Sequence, residues 1–387
     1  MNFHLPEYYP PRFDTPSFTN APNALLAPAP MDGVAPPNYH STTIFPEYFK
    51  AGGQWLLAKE SRMDCVAIYE NDVITVREFR RLKKGDLVFT GRAEDGSQGI
   101  YVHADGFSGS SEADGSKAAG GSKAAGGSKA TGGSKATGDT FVFRQGRSRE
   151  TAFSMDYDFL YEQLRYEKEN GYIVWVAGPA CSFDADSRNA FSKLCEHGYV
   201  HALLAGNALA THDLEGAYKK TALGQDIYTQ EAYPNGHYNH LDTINRVREC
   251  GSIPAFIEKE AIHDGIIHQC VKQKIPYVLT GSIRDDGPLP EVIADVYAGQ
   301  QAMREHLSKA TTLISMATAL HSIAAGNIVP SFRVMSSGLI RPVYFYMVDI
   351  SEFAANKLSD RGSLLAKSII TNVQDFIVQT SRNLVPN

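Results

Sequence analysis

Tyr172-Ile-Val-Trp-Val-Ala177 is an unbroken apolar run, closed by Gly178-Pro179-Ala180. Its length suits a strand. No polar residue marks either alternating face, so both faces must be buried, as in a parallel strand covered by helices on two sides. Upstream, Leu160 and Leu164 with Tyr157 and Tyr161 fall on helical spacing, with Asp156 or Asp158 as a candidate N-cap and Gly171 as the stop. Downstream, helical spacing and strand-length runs alternate. The pattern predicts a helix over 187–197, a strand at 202–205, helices over 241–250 and 257–273, and a strand at 277–280. A helix over 291–308, strands at 312–317 and 342–348, and a closing helix over 364–380 follow. Such alternation means βαβ units with right-handed crossovers. The expected fold class is α/β, a parallel domain over 151–387 preceded by a smaller β-rich one.

Residues 39–150 carry the β-rich signals. Short strands are expected at 54–57, 64–69, 73–76 and 86–90, with Glu70-Asn71-Asp72 as a hairpin turn. Residues 1–38 form a proline-rich arm in which regular helix is excluded, because each proline removes a donor and clashes with the preceding turn. Residues 115–138 are four tandem hexamers of the form GSKA(A/T)G, with nothing large enough to bury. They read as a flexible insert in a hairpin whose arms are 99–103 and 140–144.

The chain has 387 residues, with 37 Lys and Arg against 43 Asp and Glu, and a net charge of −6. That balance argues against nucleic acid as a partner, the more so because the insert holds four lysines and no acids. Five scattered cysteines without a CxxC pair argue against a disulfide framework or a structural zinc site. No signal peptide or membrane-length apolar run is evident, so a cytoplasmic protein that does not engage membranes is expected.

In open parallel sheets ligands bind beyond the C-terminal ends of the strands. The segments following each strand therefore carry the candidates: Gly178 and Pro179; Gly206 and Asn207, then His212-Asp213; Gly281-Ser282-Ile283-Arg284-Asp285-Asp286-Gly287; and Thr318 with His321. Small residues at strand ends let a phosphate approach a helix N-terminus, although ordinary turn chemistry selects the same residue types. Neither GxGxxG nor GxxxxGK[ST] is present. Arg284 can hold a carboxylate or phosphate with its planar fork. Asp285 and Asp286 can hold a ribose diol or an ammonium. His212-Asp213 reads equally as a cap or a ligand contact. His240 reads as a proton-handling group or a packed imidazole. With His237 it lacks the further ligands of a metal site, so no metal is expected. Cys181 has no neighbour that would lower its pKa.

The segments LLAGNALATHDLE (203–215), NHLDTIN (239–245), YVLTGSIRDDGPLPEVIADV (277–296), TALHSIAAGN (318–327) and KLSDRGS (357–363) occur in this order. APMDGVAPPNYHSTTIFP (29–46), RMD (62–64) and KKGDLV (83–88) precede them in the β-rich part. Together they resemble the LOR/SDH-related family. Its characterised members are the archaeal ornithine cyclodeaminases and the C-terminal half of cyanobacterial arginine dihydrolase/ornithine cyclodeaminases. The resemblance implies a Rossmann-like domain with some likeness to deoxyhypusine synthase, NAD as cofactor, and conversion of L-ornithine to L-proline and ammonia by internal hydride transfer. On the strand-end reading, cofactor contacts are expected at Gly178, Pro179, Gly206, Asn207, Asp213, Gly281, Ser282, Asp286, Thr318 and His321, and catalytic roles for Asp285, Arg284 and His240. The proline-rich arm stands where longer relatives have an extra N-terminal subdomain, and the hexamer insert is foreign to the pattern. A different NAD-dependent amino-acid or opine dehydrogenase, and a non-catalytic NAD(H)-binding protein, are the alternatives. Homo-oligomerisation is expected.

Overall fold

The computed structural model describes residues 3–107, 154–285, 287–351 and 364–386. The hexamer insert, the expected strand at 140–144, the 357–363 motif and Asp286 lie outside the described residues.

In the β-rich part, β1 (Leu25–Pro28), β4 (Val66–Glu70), β5 (Val73–Arg77) and β6 (Leu87–Thr90) make an antiparallel sheet of order β1-β6-β4-β5. β2 (Glu47–Ala51), β3 (Gln54–Leu57) and β7 (Ile100–Val102) make a second, of order β3-β2-β7. Phe49 and Phe89 meet between them with ring centroids 4.5 Å apart. Asn71 and Asp72, at φ 51° and 61°, form the tight turn between β4 and β5, as a two-residue hairpin demands.

The arm lies on its own chain. It supplies β1, stacks Phe13 on Trp55 at 4.9 Å, and pairs the Tyr8 and Tyr48 hydroxyls at 2.7 Å. The Lys50 ammonium donates to the carbonyls of Phe18, Thr19 and Ala21 and pins it. One expectation fails here: a single helical turn, α1 (Pro16–Thr19), does form. Pro16 sits in its first turn, where a missing N–H costs nothing.

The C-terminal part is a six-stranded parallel sheet with helices on both faces. Its strands are β8 (Ile173–Ala177), β9 (Ala202–Gly206), β12 (Tyr277–Thr280), β13 (Thr312–Met316), β16 (Tyr344–Asp349) and β17 (Leu365–Ile370), in the order β12-β9-β8-β13-β16-β17. Small antiparallel hairpins, β10 (Thr221–Ala222) with β11 (Gln225–Asp226) and β14 (Phe332–Val334) with β15 (Ile340–Pro342), sit outside it. Alternation along the strands divides the core. Trp175, Leu203, Leu279, Ile314 and Tyr346 face one side; Val174, Leu204, Val278, Leu313 and Phe345 face the other. The first side is covered by α2 (Ser154–Asn170), α3 (Ala185–Glu196), α4 (Asn207–Lys219), α5 (Asn239–Cys250), α6 (Ile253–Lys259) and α7 (Ile266–Gln273), and by α10 (Val373–Leu384) near the C-terminus. The second is covered by α8 (Val296–Leu307) and α9 (Ala319–Ile328).

Several boundaries differ from expectation for identifiable reasons. Asp158 lies inside α2 rather than capping it. The expected helix over 257–273 is two helices, because Ala261 and Gly265 adopt φ 48° and 120°. The helix expected from 291 begins at Val296, since Ile293 bridges Thr280 and the Asp295 side chain caps the Ala298 N–H at 2.7 Å. The strand expected at 342–348 is shared between β15 and β16. The closing helix over 364–380 is a strand followed by a helix: β17 adds to the open side of β16 before Asn372 caps α10. The segment Asn207–Lys219, for which no helix is expected, is α4, so His212 and Asp213 lie inside a helix.

Candidate functional site

β8 comes first in the parallel sheet yet lies in its middle. The chain adds β9 and β12 on one side, then returns to add β13, β16 and β17 on the other, which is the order 3-2-1-4-5-6. The connections leaving β8 and β13 diverge, so a crevice opens at their C-terminal ends.

The residues at that edge are small and closely packed. The Gly178 N–H donates to the Met316 carbonyl at 2.8 Å, and a Cβ on Gly178 would overlap the Ala317 carbonyl oxygen. Ala317 itself is held at φ 52°, a left-handed conformation that costs a non-glycine residue about 1–2 kcal/mol. Such strain is retained where surrounding structure enforces it, often at functional sites. From the next strand, a Cβ on Gly206 would lie 2.9 Å from His321 Cε1. His321 pairs through Nδ1 with the Thr318 hydroxyl at 2.9 Å. Burial lowers the His321 pKa, with the Thr280 carbonyl and the Asp285 carboxylate pulling the other way, so a neutral ring stands at neutral pH. The ends of β8, β9, β12 and β13 therefore meet around one imidazole.

The loop after β12 is tied to the same edge. The Asn207 side-chain Oδ1 accepts from the Leu289 N–H at 3.0 Å, and the Gly281 N–H donates to the Ile293 carbonyl at 2.9 Å. Within the loop, Ser282 N–H donates to the Asp285 carboxylate at 2.8 Å, and Arg284 N–H to the Ser282 hydroxyl at 3.2 Å. Asp285 thus shapes the turn that projects Ile283 and Arg284 into solvent.

Two helices begin at this edge without a side-chain cap, α4 after Gly206 and α9 after Thr318. By contrast α3, α6, α8 and α10 have their first N–H groups satisfied by Asp184, Ser252, Asp295 and Asn372. Two free N-termini flanking small residues fit an anionic group such as a pyrophosphate.

Not every candidate gathers here. Pro179 opens a short 3-10 turn directly after Gly178 and stays partly exposed. Asp213 is 1% exposed inside α4. Its carboxylate accepts from Arg188 Nε at 2.7 Å and from the Ile266 and Ile267 N–H groups at 3.0 and 2.8 Å. It caps α7, and the cofactor contact expected for it gives way to a scaffold role. His240 stands beside His212, ring centroids 6.1 Å apart. Burial pushes the Cys181 thiol up to about 12, which leaves it unreactive.

Sequence reading missed a buried pair on α4. His212 Nδ1 lies 2.9 Å from the Glu215 carboxylate, which also accepts from the Thr221 hydroxyl at 2.8 Å. The spacing His-x-x-Glu on one helix face was the available signal. Among the described residues no group of three or more His, Cys, Asp or Glu could hold a metal, and no helix is long and apolar enough to cross a membrane.

Burial also lowers His201, His268 and His306. For these and His321 the unfolded chain takes up a proton before the folded chain does. Their contribution is complete above the ordinary histidine pKa of about 6.5 and is lost as pH falls through the lower folded values. Denaturant melts should show stability falling as pH drops from about 7 to about 5; a flat profile there would contradict the burial of these rings.

A six-stranded parallel sheet of this order, with its strained crevice, defines a Rossmann-fold α/β protein. Residues 160–380 match the family described as arginine dihydrolase ArgZ-like, C-terminal, Rossmann fold, and the chain belongs to that family. It is 36% identical over 372 residues to the ornithine cyclodeaminase of Methanothermobacter thermautotrophicus, covering 93% of this chain and 79% of that one. It is 31% identical to the bifunctional arginine dihydrolase/ornithine cyclodeaminase AgrE of a Nostoc species, covering 94% of this chain but 47% of AgrE. A LOR/SDH protein from Methanococcus maripaludis superposes with a TM-score of 0.77 at 32% identity, covering 94% and 98% of the two chains. AgrE crystallised as a ternary complex with ornithine and NAD+ superposes with a TM-score of 0.53 at 29% identity, covering 96% of this chain and 47% of that one.

Proposed function

We propose that the protein is an NAD-dependent ornithine cyclodeaminase, converting L-ornithine to L-proline and ammonia. The observation that carries this reading is the joining of four strand ends around His321 at the switch point, between two uncapped helix N-termini. The naming of full-length relatives as ornithine cyclodeaminases, and the complex of AgrE with ornithine and NAD+, support the substrate and the cofactor.

The free N–H groups at the starts of α4 and α9 would hold the pyrophosphate, with Gly178 and Gly206 keeping the approach clear. Bound NAD supplies a hydride acceptor at the substrate α-carbon that is restored within the same turnover. The chain's own part is orientation and proton handling. Arg284, exposed on the loop after β12, offers a fork for the substrate carboxylate. Asp285, on the same loop, offers an anion for an amine. Neutral His321 can accept or pass a proton, and its ring orientation is held by Thr318. The His212–Glu215 pair places a second imidazole, with His240 alongside.

The test is incubation of purified protein with L-ornithine labelled with 15N at the α-amine, together with NAD+. Proline and labelled ammonia should form in equal amounts with no net NADH. Net NADH would instead indicate a dehydrogenase. Tight NAD binding without turnover on any amine would indicate a non-catalytic binder.

Self-association is proposed as well. Leu223, Tyr228, Tyr233, Tyr238 and Leu241 are each more than half exposed within one short segment, an apolar concentration that a single surface rarely leaves bare.

A further inference from the structure

Glu215 of α4 is a fully buried carboxylate, and among the described residues no lysine or arginine pairs with it. Its Oε1 accepts from the Thr221 hydroxyl at 2.8 Å and from the Gly224 N–H at 3.4 Å, and its Oε2 lies 2.9 Å from His212 Nδ1. The Asn239 side-chain amide donates to the same Thr221 hydroxyl at 2.9 Å. A hydroxyl has one proton, and here it points at Glu215. The run Asn239–Thr221–Glu215–His212 therefore has one direction. An ionised carboxylate can only accept, so His212 Nδ1 carries the ring's proton and Nε2 is left as the basic atom.

Among the described residues two imidazoles are bonded to a carboxylate, His212 and His40, and they differ in access. His40 and its partner Glu47 lie in the β-rich part and are sealed, at 1% and 0% exposure. The His212 side chain keeps 11% exposure, and no hydrogen bond among the described residues engages its Nε2. Its place is the flank of the crevice. His212 stands five residues past Asn207, about 8 Å along α4 from the strand end where that helix begins. Phe183, on the connection leaving β8, meets its ring edge-on at 5.6 Å, and His240, in the first turn of α5, stands at 6.1 Å. His321 differs again: its Nδ1 meets the Thr318 hydroxyl, and no described carboxylate is bonded to it.

We propose that His212 is the base that takes the proton from the α-ammonium of ornithine, and that Glu215 is the positioning residue that fixes its tautomer. This deepens the cyclodeaminase reading and rests on it. An ammonium nitrogen has no lone pair to assist departure of a hydride from the α-carbon to NAD+, so it must lose a proton first. One N–H bond of the ammonium breaks, its electron pair stays on nitrogen, and the proton joins the Nε2 lone pair. The positive charge passes from substrate to ring, where Glu215 supplies the buried counter-charge. The ring can return the same proton to the α-nitrogen as it departs in ammonia, and so ends the turnover as it began.

The test is a 15N spectrum of histidine-labelled, full-length protein, with NADH bound so that ornithine binds without being oxidised. At a pH of about 8.5, well above the ordinary histidine pKa, His212 should show a protonated Nδ1 and a bare Nε2. The signals are assigned by their loss in His212→Gln. Saturating L-ornithine should shift Nε2 and leave Nδ1 protonated. In turnover with NAD+, His212→Gln should lower kcat about a hundredfold or more. Glu215→Gln keeps the shape and removes the charge, and should lower kcat about tenfold or more. Ornithine KM and the circular dichroism spectrum should stay nearly unchanged in both. If Glu215→Gln fails to fold, the Nε2 resonance and His212→Gln decide. Ornithine binding that leaves Nε2 unshifted, or wild-type kcat in folded His212→Gln, overturns the proposal and leaves the cyclodeaminase reading standing. A wild-type protein that forms no proline removes that reading, and the proposal with it.

Discussion

Asp213→Ala is expected to destabilise the protein by about 3–5 kcal/mol, the usual consequence of removing one partner from a fully buried ion pair. Arg188 and Asp213 are both 1% exposed. Without the carboxylate, Arg188 retains only the bond from its Nη2 to the half-exposed Asp264, at 2.7 Å. The loss extends beyond the pair. The Ile266 and Ile267 N–H groups at the start of α7 lose their acceptor in an interior that holds no substitute, and buried donors left unmade are penalised in full. Gly265 has no room to rearrange: at φ 120°, a Cβ there would press on both Arg188 and Asp213. Thermal melts should move down by roughly 10 °C, taking about 2–4 °C per kcal/mol for a domain of this size. A drop of less than about 1 kcal/mol would show that Asp213 is not the scaffold residue its contacts make it. Measuring NAD affinity well below the melting transition separates the two roles. A scaffold residue leaves the affinity of the folded fraction nearly unchanged, whereas a cofactor ligand lowers it about tenfold or more.

Gly178→Ala carries the second large effect, on binding. The added Cβ cannot coexist with the Ala317 carbonyl, so the ends of β8 and β13 must part or Ala317 must leave its left-handed conformation. Both movements displace Thr318 and the first turn of α9. Overpacking of this kind costs about 1–3 kcal/mol in stability. At the switch point it should also weaken NAD binding about tenfold or more, because misplaced N–H donors forfeit charge-assisted bonds to phosphate. Gly206→Ala is the graded comparison. Its Cβ would meet the His321 ring at 2.9 Å, and a side chain can shift where a backbone cannot. The smaller effect is expected at Gly206. The reverse order, or unchanged NAD affinity in Gly178→Ala, would place the cofactor elsewhere.

Local chemistry made much of the site legible. Gly178, Gly206, Asn207, Ser282, Asp285, Thr318 and His321 stand out because small and polar residues follow apolar strand runs, and the structure brings all of them to one edge of the sheet. Asp213 misleads for a physical reason. An aspartate near a strand end looks the same whether it faces a ligand or a helix N-terminus, and the helix it caps begins more than fifty residues later. His240 is ambiguous in the same way, since its neighbour His212 comes from a different helix. β17 falls where a helix is expected, because its partly buried residues show no clear alternation, and only the open side of β16 makes that segment a strand.

Local pattern was enough to make the C-terminal part a parallel α/β sheet, because runs buried on both faces must be apolar throughout and helices must alternate with them. It determined the family, through motifs whose order along the chain survives folding. Tertiary structure alone decided which strand ends are neighbours, and hence that His321 meets Gly206 while Asp213 serves α7. It also decided that three arginines distant in sequence share one carboxylate between the two parts of the chain. Burial and charge balance belong to the surroundings a residue acquires on folding, and those surroundings come mostly from segments far away along the chain.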